Sequence, residues 1–169
     1  MFKEGELVVY EGEGVCKVED VGPIDHSWAG DISYYTLAPL YRNGRVYTPV
    51  NTSSLMRPII SRSEVESIVV MLPSIKPKNC DGLDSRTLES YYREEINSYD
   101  CKALMRVLRS IWKRNRACKE QGKRLGAIDT RYKRRAEDML YGEFAAALGL
   151  SREKVREYIE EKAEEYGFC

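Results

Sequence analysis

The sequence predicts an α+β chain, a small β domain followed by an all-α helical bundle. Residues 1–50 fall into short apolar, β-favouring runs separated by glycine-containing turns. From Asp84 onward, apolar residues recur at the helical period of about 3.6. The character changes near Pro58, which divides the chain into a β domain at 1–58 and a helical domain at 59–169.

The β half comes first. Leu7-Val8-Val9-Tyr10 is a strand, and Glu11-Gly12-Glu13-Gly14 is the turn after it. Val15, Val18 and Val21 mark a second strand, and Gly22 to Gly30 reads as a loop. Ser33 to Leu40 and Arg45 to Val50 are two more strands. Asn43-Gly44 lies between them, and both residues tolerate the positive φ of a tight hairpin. Strands this short suggest a strongly bent sheet or barrel.

In the second half, Ser63-Glu64-Val65-Glu66 fits a capping box, starting a helix that Pro73 stops near Leu72. Pro73 to Gly82 is a connector. Leu88, Tyr92 and Ile96 then share one helical face. Asp100 caps a helix with the stripe Leu104, Val107, Leu108, Ile111. Gly122 and Gly126 bracket a turn. Asp129 is expected to cap a third helix with Tyr132, Ala136, Met139, Leu140 and Phe144 inward, ended by Gly149. Ser151 caps the last, with Val155, Tyr158, Ile159 and Ala163 inward.

Size and composition exclude several classes. With 169 residues, 43% of them apolar, the chain has room for one medium domain or two small ones, not for a large enzyme with a deep cleft. No apolar run reaches the ~18 residues of a membrane span. The opening MFKEGELVVY lacks a signal-peptide pattern, so a cytoplasmic protein is expected. Cys16, Cys80, Cys101, Cys118 and Cys169 show no CxxC spacing, and His26 is the one histidine, so free thiols and no metal site are expected. Neither a phosphate loop nor a serine elbow is present. The acid pairs Glu94-Glu95 and Glu164-Glu165 are neighbours that diverge by about 100° on a helix. No enzymatic activity and no cofactor are expected.

The net charge of zero conceals segregation. Residues 106–135 carry 12 basic side chains against 2 acidic, whereas residues 136–169 carry 9 acidic against 4 basic. Such a segment suits phosphate binding. The competing reading is a solvated face salt-bridged to the acidic last helix. The candidate phosphate-contacting residues in the segment are Arg109, Lys113, Arg114, Arg116, Lys123, Arg124, Arg131, Arg134 and Arg135. Trp112, at the edge of an apolar stripe, reads as core; Trp28 falls in a loop.

Phe2-Lys3-Glu4-Gly5-Glu6-Leu7-Val8-Val9-Tyr10 with Gly14 resembles the opening of the CarD/CdnL family and of the polymerase-interacting domain of transcription-repair coupling factors. Val46-Tyr47-Thr48-Pro49-Val50 resembles the family's strand ending in a Val-Pro or Ile-Pro step. Val107-Leu108-Arg109-Ser110-Ile111-Trp112-Lys113-Arg114 resembles its V-x-R-D-L-W/Y-R-R helix, and Leu125 to Phe144 the helix that follows. The resemblance implies a Tudor- or SH3-like β domain that docks on the RNA polymerase β subunit. It also implies a helical bundle that stabilises the open promoter complex at the upstream edge of the −10 element, with a tryptophan wedged into the minor groove. Docking by strand addition makes Arg45, Val46, Tyr47, Thr48 and Pro49 the candidate polymerase-binding residues.

Two departures accompany the likeness. Counted back from Trp112, the wedge position holds Ser85, and the arginines that follow it fall at Thr87 and Leu88, with Arg86 keeping charge nearby. The loop Asp25 to Asp31 is longer than the family's hairpin. The sequence reading is thus a monomeric transcription regulator with RNA polymerase and promoter DNA as partners. The alternatives are an adaptor whose helical half binds another protein, and an RNA-binding protein.

Overall fold

The computed structural model describes residues 1–24 and 32–168. His26, Trp28, Cys169 and the whole Asp25–Asp31 loop lie outside them. The chain divides into two compact units, Met1–Ile60 and Ser61–Cys169.

The first unit has five strands, β1 (Leu7–Tyr10), β2 (Gly14–Pro23), β3 (Ser33–Pro39), β4 (Val46–Pro49) and β5 (Met56–Pro58). They form one antiparallel sheet in the order β4-β3-β2-β1-β5. Gly12 and Gly14 take φ of +79° and +78° in the β1–β2 turn, a conformation that a Cβ makes costly. The alternation of the strands turns Val8, Cys16, Val18, Tyr35 and Leu37 into one core, closed by Phe2, Tyr10, Val21, Val46, Val50 and Met56. The β3–β4 link is residues 40–45 rather than a two-residue turn at Asn43-Gly44. Gly44 takes positive φ and Asn43 does not, whereas the tight type needs both. β5 was not foreseen: three residues carry no alternation, and its Pro58 is tolerated because the strand lies at an edge.

The second unit holds α1 (Arg62–Val70), α2 (Ser85–Asn97), α3 (Cys101–Glu120), α4 (Ala127–Leu148) and α5 (Arg152–Glu165), with a short 3-10 turn at Leu72–Ser74. The capping box of α1 is Ser61 with Glu64, not Ser63 with Glu66. Both pairs have the required spacing. The earlier start satisfies the Ser61 N–H with the Glu64 carboxylate at 2.9 Å and directs Val65, Ile68 and Val69 inward. Asp84, Asp100 and Ser151 cap α2, α3 and α5 by accepting main-chain N–H bonds. Asp129 does not cap α4: Gly126 holds that position, and Asp129 lies buried inside the first turn. Gly149, at φ +68°, ends the helix.

α4 packs against α1, α2, α3 and α5 and is the hub of the unit. The predicted stripes of α2, α3 and α5 are buried, except that Tyr158 of α5 is half-buried. Tyr132, Ala136, Leu140 and Phe144 of α4 are buried, while Met139 is half-buried. Trp112 is 6% exposed and belongs to this core. No helix among the described residues is long and apolar enough to cross a membrane.

Candidate functional site

In the N-terminal unit the candidate docking strand, β4, lies at one edge of the sheet. The Val50 N–H donates to the Ser33 carbonyl at 3.0 Å. By antiparallel alternation, Thr48 and Val46 also turn their main-chain groups towards β3, and those of Tyr47 face outward. Side chains alternate as well. Val46 and Val50 pack on the core, and Thr48, 2% exposed, accepts a hydrogen bond from the Tyr10 hydroxyl at 3.1 Å. Arg45 and Tyr47 are exposed. Together with Lys17, Glu19 and Thr36 they line a solvent-open groove of about 710 Å³ on the polar face of the sheet.

The bulge in β2 shapes this groove. The β2–β3 register shifts between Val18 and Asp20, so Glu19 is the extra residue. A bulge re-aims its side chain, and here the Glu19 carboxylate accepts from Arg45 Nε. That bond raises the Arg45 pKa above its ordinary value.

In the helical unit the candidate cations divide into two groups. Arg109 and Arg114 are turned inward. Arg109 is 9% exposed, and its Nη1 donates to the carbonyls of Leu72 at 2.7 Å and Ile75 at 2.8 Å. Its guanidinium carbon lies 3.5 Å from the centre of the Phe168 ring. Burial lowers its pKa from the ordinary value. Arg114 holds the Asp129 carboxylate with two donors and the Cys80 carbonyl with a third. Its bond to Asp129 raises its pKa. These two side chains bind the connector and the start of α4 to α3, so they are not part of the exposed cationic surface. Sequence alone shows a cation on a helix; the carbonyls that absorb Arg109 belong to the main chain and leave no trace in residue identity, and the carboxylate that holds Arg114 belongs to Asp129, which reads as a helix cap.

The other cations face solvent. Arg86, Lys113, Arg116, Lys123, Arg124, Arg131, Arg134 and Arg135 are exposed. Arg116 pairs with Glu120 at 3.7 Å, Arg134 with Asp138 at 4.0 Å, and Arg131 with Glu89. Exposed pairs of this kind contribute about 0–1 kcal/mol and yield readily to a competing anion. Lys113, Lys119, Lys123, Arg124 and Arg135 form no ion pair with any described residue. No ion pair among the described residues joins a cation of residues 106–135 to a carboxylate of α5. Instead α5 sends its own Arg152 and Arg156 to Asp138 and Glu137 of α4. Among the described residues the acidic last helix therefore does not neutralise the basic segment, whose paired cations find their carboxylates on α2, α3 and α4.

Part of this charge is gathered at one end of the unit. The Tyr92 hydroxyl donates to Asp129 at 2.6 Å, and Glu89 accepts from Arg131, so the start of α2 lies beside the start of α4. The C-terminus of α3 leads into α4 through residues 121–126. Arg86, Lys123, Arg124 and Arg131 consequently share that end. The positive ends of the α2 and α4 dipoles add to them. Ser85, at the expected wedge position, is the exposed first residue of α2.

Residues 2–60 match the family model described as the CarD-like/TRCF RID domain. No curated protein matches the chain significantly. The matched span covers all five strands and stops at the end of the first unit. The chain thus carries a CarD-like/TRCF RID domain at its N-terminus, consistent with a CarD/CdnL family protein.

Proposed function

We propose that the chain is a bacterial transcription regulator that docks on the RNA polymerase β subunit through β4. Its helical unit contacts promoter DNA near the −10 element and stabilises the open complex. The observation that carries this reading is the CarD-like/TRCF RID match over residues 2–60, since a domain of that kind implies interaction with RNA polymerase. The edge position of β4 supports strand addition, in which main-chain bonds supply affinity and flanking side chains supply selectivity. Tyr47 and Arg45, on the polar face of the sheet beside that edge, are the selecting side chains, while Val46, Thr48 and Pro49 fix the strand.

On the DNA side, Arg86, Lys113, Arg116, Lys123, Arg124, Arg131, Arg134 and Arg135 provide charge that neutralises backbone phosphates. Arg109 and Arg114 hold the scaffold that presents it. With serine at the wedge position, the contact is mainly electrostatic and weaker than a wedged one. Binding of the full chain to the polymerase β subunit, compared with Tyr47→Pro, tests the docking half. Proline removes an outward N–H at an edge that tolerates it. The expected result is loss of binding with an unchanged melting temperature. Undiminished binding would refute docking through β4. Failure of the wild type to bind the β subunit, with retained binding of another protein by the helical unit, would favour the adaptor.

A further inference from the structure

The helical unit contains a small cationic cavity apart from the basic end of the bundle, and two of its cations, Lys113 and Arg116, are also among those proposed above for the DNA backbone. It holds about 140 Å³, and its described lining is Pro77, Arg109, Lys113, Arg116, Gly167 and Phe168. No carboxylate is in that lining. Arg109, Lys113 and Arg116 follow one another by four and three residues, which puts all three on one side of α3.

The site is built rather than incidental. Arg109 is nine-tenths buried and fixed from two directions, by the Leu72 and Ile75 carbonyls on Nη1 and by the Phe168 ring against its flat face. Its Nε and Nη2 donate to no described residue, and neither is sealed from solvent. Two donors of a rigid fork therefore remain available on a group that cannot lose its proton. Phe168 is itself held, its N–H donating to the Ala163 carbonyl at 2.8 Å, while Arg116 Nη1 donates to the Gly167 carbonyl at 3.0 Å. Lys113 is exposed, with no ion pair among the described residues.

We propose that this cavity binds a phosphate-sized oxyanion. Arg109 acts as the preorganised fork, Lys113 as the mobile point charge and Arg116 as the outer wall. Donors that reach in from two successive turns of α3 are not coplanar, which suits a tetrahedral anion better than a flat carboxylate. Three positive charges, of which only Arg116 has a carboxylate partner among the described residues, the exposed Glu120 at 3.7 Å, favour a dianion. The same chemistry could be supplied by a free phosphomonoester or by the backbone of a nucleic acid.

The test uses the full chain and inorganic phosphate, titrated at constant ionic strength with chloride as the balancing anion. Melting temperature and titration calorimetry are the readouts. The expected result is a saturable rise in melting temperature with phosphate and none with chloride. Lys113→Gln, an exposed change, should weaken phosphate by about tenfold, the value of one lost charge-assisted hydrogen bond. A flat response, or identical titrations of wild type and Lys113→Gln, would overturn the proposal. Glycerol phosphate and a short DNA duplex, added as competitors, then identify the source: displacement by the first marks a free phosphomonoester, by the second a backbone phosphate. Neither polymerase nor promoter enters the assay, so its failure leaves the docking reading intact.

Discussion

Arg114 grips Asp129 with two parallel donors, Nε to Oδ1 at 2.9 Å and Nη2 to Oδ2 at 3.1 Å. Asp129 is 2% exposed and also accepts from the Tyr92 hydroxyl, so three helices meet at one carboxylate. Removing the guanidinium leaves that charge buried and half-satisfied. Arg114→Met should therefore cost about 3 kcal/mol of stability, the lower end for breaking a buried pair. Urea unfolding of the helical unit measures it. A cost inside experimental error would mean the pair is dispensable.

Salt dependence separates the scaffold arginines from the surface cations. Each exposed cation that neutralises a phosphate contributes about −0.9 to the slope of log K against log salt. Lys123→Gln and Arg124→Gln should each flatten the slope for duplex DNA by about that amount. Arg114→Met should leave the slope unchanged while lowering the melting temperature. Equal slopes for all four proteins would place the DNA contact elsewhere.

Ser85 offers a gain-of-function experiment. It is the exposed first residue of α2, so tryptophan there disturbs no packing. An apolar wedge at that place would exchange base unstacking for a distorted duplex held more tightly. Abortive transcription with cognate polymerase should rise with Ser85→Trp above the wild-type level. No rise would mean that the bundle does not present α2 to the duplex.

The Cys16 thiol gives the β unit a pH signature. Burial, and then the nearby Glu13 carboxylate, push it from 9.0 up to about 11. Below 9.0 the folded and unfolded chains both keep the proton, and its stabilising contribution is whole. Between 9.0 and about 11 the unfolded chain sheds it first, so stability falls as pH rises. Chemical unfolding of the full chain across that window should show a decline that Cys16→Val reduces. The same decline in both proteins would assign it to other groups.

The elements legible in the sequence were those whose signal is local. Apolar spacing placed α2, α3 and α5, and Asp84, Asp100 and Ser151 occupy cap positions because a short side-chain oxygen there has little else to do. The core position of Trp112 followed from its place on the α3 stripe. What escaped depended on partners far along the chain. Asp129 looks like a cap in a linear reading, yet Arg114 and Tyr92 claim its carboxylate. Two capping boxes two residues apart could not be ranked without knowing where Val65 and Ile68 must point. β5 exists because β1 has an edge to fill. In the candidate site, Arg109 and Arg114 were indistinguishable from their exposed neighbours, and Phe168 gave no sign that it lies against a guanidinium.

Residues 72–82, rich in proline and without regular helix beyond one 3-10 turn, have the composition of a tether. Arg109 takes the carbonyls of Leu72 and Ile75, the Ser110 hydroxyl accepts the Lys78 N–H at 3.0 Å, and Arg114 takes the Cys80 carbonyl. Four anchor points from one helix make the segment part of the same cooperative unit as α3. Its Lys78 amide should exchange with deuterium only when α3 itself opens, and proteases should pass over its prolines in the native state. An insertion there would strain the bundle's own stitching, so this stretch should tolerate a change of length no better than a core helix does.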